Sequence, residues 1–239
     1  MARSNNIFTR VEKKYSITDR QYAAIEPMLF DRMHIDEFGL STVCSVYFDT
    51  PDNRIVRASI DKPVYKEKLR LRCYGVPDPD SEAFIELKKK YKGIVYKRRI
   101  FMPYEEAVAF LSGHAPMPDD QIAREIAYAL KIYPDIAPAA AIFCERIALY
   151  DNDDENLRIT IDSNLRYRVD DMDLTHGTHG NPLLPADKHI LEIKTAFSMP
   201  LWLTKLLDDN SIYPSSFSKY GTAYRMEQLN EIGGHHYAQ

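Results

Sequence analysis

Along much of the chain apolar and polar positions alternate with a period of two, and the polar positions are repeatedly basic. The clearest stretches are Lys68-Leu69-Arg70-Leu71-Arg72, Glu86-Leu87-Lys88, Lys97-Arg98-Arg99, Arg146-Ile147-Ala148, Arg158-Ile159-Thr160 and Glu192-Ile193-Lys194. Successive side chains of a strand point to opposite faces, so each stretch predicts a β-strand with one apolar and one cationic face. Alternation and turn chemistry together predict strands over 11–17, 43–49, 65–74, 83–91, 93–101, 140–150, 156–162, 165–169 and 189–195. Helical spacing predicts helices after Thr18 as N-cap, over 104–111 with Pro103 at the first helical position, over 119–132, and a last one over 201–209.

About eight antiparallel strands with a few helices define a mainly β, α+β fold. Like charges directly opposite one another on paired strands repel, so several cationic faces in one sheet call for something anionic across them. An open sheet would leave those faces in water. A closed antiparallel eight-stranded barrel would gather them into a basic lumen wide enough for one ligand, with the apolar faces packed outward on the helices. The expected architecture is that barrel, as a single domain over 1–230 with a flexible tail over 231–239.

Charge sharpens this picture. The 239 residues carry a formal net charge of −4, so the cationic strands do not follow from a basic protein, and a nucleic-acid coat protein would more often be basic overall. Arginine supplies a planar fork suited to phosphate oxygens, whereas a solubilising surface more often mixes Lys with Glu. A sulfate or carboxylate polyanion would satisfy the same physics. Two carboxylates stand among the cations by parity, Glu12 beside Lys14 and Glu192 beside Lys194. They read either as ion-pair partners or as ligands for Mg²⁺ or Mn²⁺, which need few protein donors when phosphate oxygens supply the rest.

Other motifs exclude more than they offer. Cys44, Cys73 and Cys144 are odd in number and form no CxxC pair, which suits a reducing cytoplasm. His176 and His179 lack a third ligand at metal-site spacing and read as a polar turn, and the acidic turn from Asp151 lacks the sixth-position Gly of an EF-hand. There is no GxxxxGK[ST] or GxGxxG, no serine or cysteine nucleophile with a histidine at recognisable spacing, and no apolar run long enough to cross a membrane.

In order along the chain, Arg10-Val11-Glu12-Lys13-Lys14-Tyr15, Ser45-Val46-Tyr47-Phe48-Asp49, Lys68 to Gly75, Phe84 to Lys88, Tyr96 to Arg99, Leu157 to Asp162, Leu191 to Lys194 and Phe217-Ser218-Lys219-Tyr220 resemble the VTC domain. That is the polyphosphate polymerase domain of the vacuolar transporter chaperone complex, within the triphosphate tunnel metalloenzyme (CYTH-like) superfamily. The resemblance runs from about residue 8 to 226. It implies an antiparallel tunnel with a basic lumen and ATP and polyphosphate as substrates. It implies catalytic roles for Arg70, Arg72, Lys88, Arg146 and Arg158, and substrate binding by Lys14, Lys97, Arg99, Lys194, Ser218 and Lys219. Glu192 is the implied metal ligand, assisted by Glu12, for Mn²⁺ or Mg²⁺. Hydrolytic members carry ExExK on the first strand, and here Arg10 stands at the first acidic position, which favours a polymerase over a triphosphatase. A binding protein without turnover would keep the same cations. The SPX and membrane segments that accompany the domain in eukaryotic complexes are not in this sequence, so a cytoplasmic protein is expected, with a membrane partner left open.

Overall fold

The computed structural model describes residues 11–235 except 62, 93, 117 and 197. Its strands are β1 (Val11–Thr18), β2 (Met33–Asp49), β3 (Tyr65–Tyr74), β4 (Glu82–Tyr91), β5 (Ile94–Pro103), β6 (Ala137–Asp151), β7 (Arg158–Arg168), β8 (Asn181–Pro182) and β9 (Lys188–Thr195). Its helices are α1 (Asp19–Arg32), α2 (Arg54–Ile60), α3 (Tyr104–Leu111), α4 (Gln121–Ile132), α5 (Leu201–Asp209) and α6 (Lys219–His235). The strands run in the order β1-β9-β7-β6-β2-β3-β4-β5, with the two-residue β8 on β7.

The chain forms two compact units. The first comprises 11–41, 145–164 and 184–217. Here β1 pairs antiparallel with β9, and β9 with β7. Tyr15, Ile17, Ile159, Ile161, Leu191 and Ile193 project from one face of these strands onto Ile25 and Leu29 of α1 and Leu203 and Leu207 of α5. The start of α1 is fixed by a capping box: the Thr18 hydroxyl accepts from the Gln21 amide (3.2 Å), and the Gln21 side chain accepts from the Thr18 amide (3.1 Å).

The second unit comprises 42–144, 165–183 and 218–235. Its meander β2-β3-β4-β5 is antiparallel throughout. Leu69, Leu71, Ile85, Leu87 and Ile100 form the apolar face, covered by Ala107, Phe110 and Leu111 of α3 and Ala123, Ile126 and Ala129 of α4. The apolar-face parity expected from the sequence therefore holds in both units. The Asp120 carboxylate caps α4, accepting from the amides of Ile122 (2.7 Å) and Ala123 (3.0 Å). Pro103 is the N-cap of α3 rather than its first helical residue.

The barrel is not closed, which corrects the expected architecture. Strand β1 ends the order on one side and β5 on the other, and among the described residues they do not pair. The outer edge of β1 is instead taken by the segment around Ser215, whose amide donates to the Lys14 carbonyl (2.7 Å). At β5, α4 lies alongside, and Arg98 pairs with Glu125 of that helix at 3.1 Å. Both end strands thus find cover without each other. The expected strands 156–162 and 165–169 are one continuous strand, β7, and a helix follows the one at 201–209.

The three cysteines are buried and form no disulfide among the described residues, with Cys44 directly opposite Cys73 in the β2–β3 register. Burial pushes the thiols of Cys44 and Cys73 up to about 11 and about 12, so neither is a nucleophile at neutral pH.

Candidate functional site

Each unit carries its cations on the face turned away from its apolar core, and each holds them on a buried carboxylate. In the second unit the register places Tyr47, Arg70, Glu86 and Arg99 in one cross-strand row. Glu86 is 1% exposed. Its Oε2 accepts from Arg70 Nε (2.5 Å), and its Oε1 accepts from Arg99 Nη2 (2.6 Å) and pairs with Lys97 Nζ (2.5 Å). Burial alone would raise the Glu86 carboxyl, but Arg70, Arg72 and Lys97 overcome that and hold it far below the usual carboxylate range. The Arg70 guanidinium bridges two acceptors, since its Nη1 also donates to the Tyr47 hydroxyl (3.2 Å). Burial pushes the Tyr47 phenol up, yet Arg70, Arg72 and Lys68 outweigh it and bring the group down to about 7. Lys97 is lowered to about 8, chiefly by burial, with Glu86 opposing.

The other expected residues of this unit lie around that row. Arg72 donates from Nε to Ser45 Oγ (3.1 Å), and Lys88 stands directly between Lys68 and Lys97 across the strands. Ser218 precedes α6, its hydroxyl accepting from the Gly221 amide (3.2 Å) and from Lys68 Nζ (2.9 Å). Lys219, half-buried, is the first residue of the helix, and no acidic residue lies in that first turn.

In the first unit Glu192 has the corresponding place. Its Oε1 pairs with Lys194 Nζ (2.5 Å) and its Oε2 with Lys14 Nζ (3.3 Å), and Lys14 also reaches Glu12 (3.7 Å). Burial would raise the Glu192 carboxyl, but Lys194, Lys14 and Arg146 hold it well below the usual range. Arg146 makes a two-point pair with the buried Asp162 (2.6 and 2.8 Å). Arg158 lies over the Tyr150 ring at 4.7 Å and 3.8 Å from Asp36, and its Nε has no hydrogen-bond partner among the described residues. Arg10 lies outside the described residues.

Glu86, Asp162, Tyr47 and Lys68 belong to these clusters and were missed as site residues. The signal was present: Glu86 shares parity with Lys88, Asp162 with Arg158, and Lys68 with Arg70. Glu12 and Glu192 are therefore not the exceptional acids among the cations, and the like-charge argument for closure fails. The sheet supplies its own counter-ions.

Among the described residues no three His, Cys, Asp or Glu side chains converge as a ready-made metal site. The donors around Glu192 nevertheless fit a hard cation that arrives with phosphate. Thr160 is directly opposite Glu192 in the β7–β9 register, and its buried hydroxyl has no hydrogen-bond partner among the described residues. Carboxylate and hydroxyl oxygens are what Mg²⁺ and Mn²⁺ take, keeping water and substrate oxygens for the remaining positions.

Solved structures of proteins described as cyclases share the fold. A candidate adenylate cyclase from Bacillus halodurans matches with a TM-score of 0.54 at 15% identity, over 87% of this chain and 93% of its own. A candidate adenylyl cyclase from Hippeastrum, with a dominant triphosphatase activity, matches with a TM-score of 0.52 at 14% identity, over 89% of this chain and 93% of its own. No curated protein matches the chain. The VTC domain model matches residues 9–227, and the chain belongs to that family.

Proposed function

We propose that the protein is a polyphosphate polymerase, transferring the γ-phosphoryl group of ATP to the end of a growing phosphate chain with Mn²⁺ or Mg²⁺. The family and fold support action on triphosphate-type substrates. The observation that carries the reading is the arrangement of guanidinium and ammonium groups held in place on Glu86 and Glu192 before any ligand arrives.

Phosphoryl transfer needs positioning and charge stabilisation more than covalent help from the protein. Arg70, Arg72, Lys88, Lys97, Arg99, Ser218 and Lys219 of one unit, and Lys14, Arg146, Arg158 and Lys194 of the other, bind phosphate oxygens in this reading. The arginines neutralise charge that builds on the transferred group, and their carboxylate partners keep them from reorganising during the step. The acceptor is a phosphate oxygen already ionised at neutral pH, so no general base is required of the chain. Glu192, with Glu12 and the Thr160 hydroxyl, would hold the divalent cation, which would supply positive charge to neutralise the phosphates.

A second reading, triphosphate hydrolysis, has the Hippeastrum protein in its favour. Arg10 weighs against it through the family pattern, because it replaces an acid of the hydrolytic signature. The deciding experiment incubates purified protein with ATP and Mn²⁺ and separates long-chain polyphosphate from free phosphate. Long chains with little phosphate are expected, and phosphate alone would assign hydrolysis. Glu192→Gln is expected to lower metal-dependent turnover by at least about a hundredfold, on the order of 3 kcal/mol in transition-state stabilisation, with triphosphate binding kept within a few-fold. Turnover equal to the parent would leave Glu192 as an ion-pair partner only.

A further inference from the structure

The apolar face of β3, β4 and β5 runs on past the helices that cover it. Its rows across the strands are Leu71, Ile85 and Ile100, then Leu69, Leu87 and Arg98, then Glu67, Lys89 and Tyr96, and last Tyr65, Tyr91 and Ile94. Helix α4 runs toward this end: its Glu125 pairs with Arg98, and Tyr133, just past its last residue, donates to Glu67 (2.6 Å). The last row lies one step farther, about 7 Å along the strands. There Val64, Tyr65, Tyr91, Ile94, Val95 and Tyr96 are between 41% and 63% exposed. Val95, opposite Lys90, is on the other face by parity, and the Val64 carbonyl accepts from the Lys92 amide (3.0 Å). Apolar residues therefore sit on both faces of this end of the sheet, and exposed clusters of this kind mark interaction sites. The same end is cationic. From Leu87 to Tyr104 the sequence has seven basic residues and no acidic one. Lys92 Nζ lies over the Tyr91 ring at 5.4 Å. The carboxylate of the two end rows, Glu67, is 8% exposed and accepts from the phenols of both Tyr65 (2.8 Å) and Tyr133, so its charge is turned inward.

We propose that this end of the second unit docks on an anionic lipid bilayer, with Tyr91, Ile94 and Val95 entering the interface and Lys89 and Lys92 lying among the headgroups. Tyrosine rings are amphipathic and settle at headgroup level, and lysine stems lie along apolar surface while their ammonium groups stay in water. Each lysine near an anionic surface adds attraction that apolar burial alone lacks. The two exposed rows span about 7 Å, within the roughly 5–10 Å to which interfacial helices sink their apolar face. A protein partner would cover one face of the sheet. Apolar residues on both faces of its end suit immersion instead, and the run of like charge selects an acidic surface. The proposal does not depend on the reading of the opposite, cation-bearing face as a phosphate site.

The test sediments the protein with vesicles of phosphatidylcholine alone and of phosphatidylcholine with about 30% phosphatidylglycerol, at about 0.1 M salt. The parent is expected to bind the anionic vesicles at least about tenfold more tightly than the neutral ones. Ile94→Ser/Val95→Ser should lower that binding roughly tenfold to a hundredfold, and Lys89→Gln/Lys92→Gln roughly thirtyfold. An environment-sensitive fluorophore on Ile94→Cys reads the same contact a second way, since Cys44, Cys73 and Cys144 are buried, and its emission should shift to the blue on anionic vesicles. Excess triphosphate at constant ionic strength should leave vesicle binding unchanged. Release by triphosphate would move the headgroups to the phosphate site and overturn the proposal. Equal binding to both vesicles, no binding to either, parental binding by Ile94→Ser/Val95→Ser, or an unshifted label would overturn it too. So would a dimer of the vesicle-free protein that Ile94→Ser/Val95→Ser turns into a monomer, since the surface would then be an interface between copies.

Discussion

Glu86→Gln lowers the stability of the ligand-free protein by about 3–5 kcal/mol and raises its response to triphosphate. Glu86 is 1% exposed, and Arg70, Lys97 and Arg99 all close on it. Glutamine keeps the volume and removes the charge. The three cations, fixed by the strands that carry them, then face one another without compensation, and breaking a buried pair from one side costs about 3–5 kcal/mol. For a chain of this length the melting temperature falls on the order of 10 °C. A polyanion supplies what the mutation removes, so triphosphate near saturation returns most of the loss and stabilises the variant more than it does the parent. Thermal melting with and without triphosphate measures both effects. An unchanged melting temperature, or a smaller triphosphate shift in the variant, would show that Glu86 is not the internal counter-ion of this cluster.

Raising the pH from about 7 to about 9 stabilises the empty protein while weakening its hold on polyanions. Tyr47, brought down to about 7 although burial opposes, releases its proton in the folded state where the unfolded phenol, with its ordinary value of 10.0, retains it. Between those values the unfolded chain binds more protons, so stability rises with pH and is lost again as pH falls through about 7. The slope for one such group is at most about 1.4 kcal/mol per pH unit, a melting increase of roughly 3–5 °C per unit. Lys97, lowered to about 8 by burial against the pull of Glu86, acts in the same direction between about 8 and its ordinary 10.5. Its half-exposed side chain is screened by water and contributes less.

A bound polyanion has the opposite preference, since a neutral phenol and a charged ammonium suit it better. Its affinity therefore declines over the same window. Melting curves across the range, with and without triphosphate, and the near-ultraviolet absorbance of the phenolate report the two halves. Tyr47→Phe should flatten the rise near pH 7 and remove the early phenolate signal. Ionisation of the parent only near pH 10 would contradict this account.

Strands with one buried face were legible in sequence almost to the residue. The ends of β3, at Tyr65 and Tyr74, and of α3 and α5 match the expected bounds, because Leu69, Leu71, Phe110 and Leu203 face real cores. The first half of β2 was not legible. Its Phe38 and Leu40 are 69% and 66% exposed, so no buried face imposed a period on the sequence. Helix α2 is seven residues long and starts after Asn53 in a left-handed conformation, where the local chemistry reads as a turn. Helix α6 buries Tyr220 and Ala223, but its polar run and Gly233-Gly234 disguise it.

For the site, parity found the cationic residues because a strand cannot place alternate side chains on the same face. It failed on closure for a specific reason. Glu86 and Asp162 lay in motifs already read as strands, yet they were not counted as charges on the face where parity puts them. Pairing with a carboxylate on the next strand, as Arg146 does with Asp162 across β6 and β7, depends on register, and register is set by the turn and core contacts rather than by either strand alone.

The start of α6 carries one more consequence. The unsatisfied amides at a helix N-terminus are its positive end, and an acid there is favourable while a cation is not. Here Ser218 caps the helix, Lys219 follows at once, and the first turn has no acid. The polypeptide has therefore specified only part of this helix's beginning. With an anion at that end, the first turn gains a partner for its amides and a charge that complements the helix's positive end.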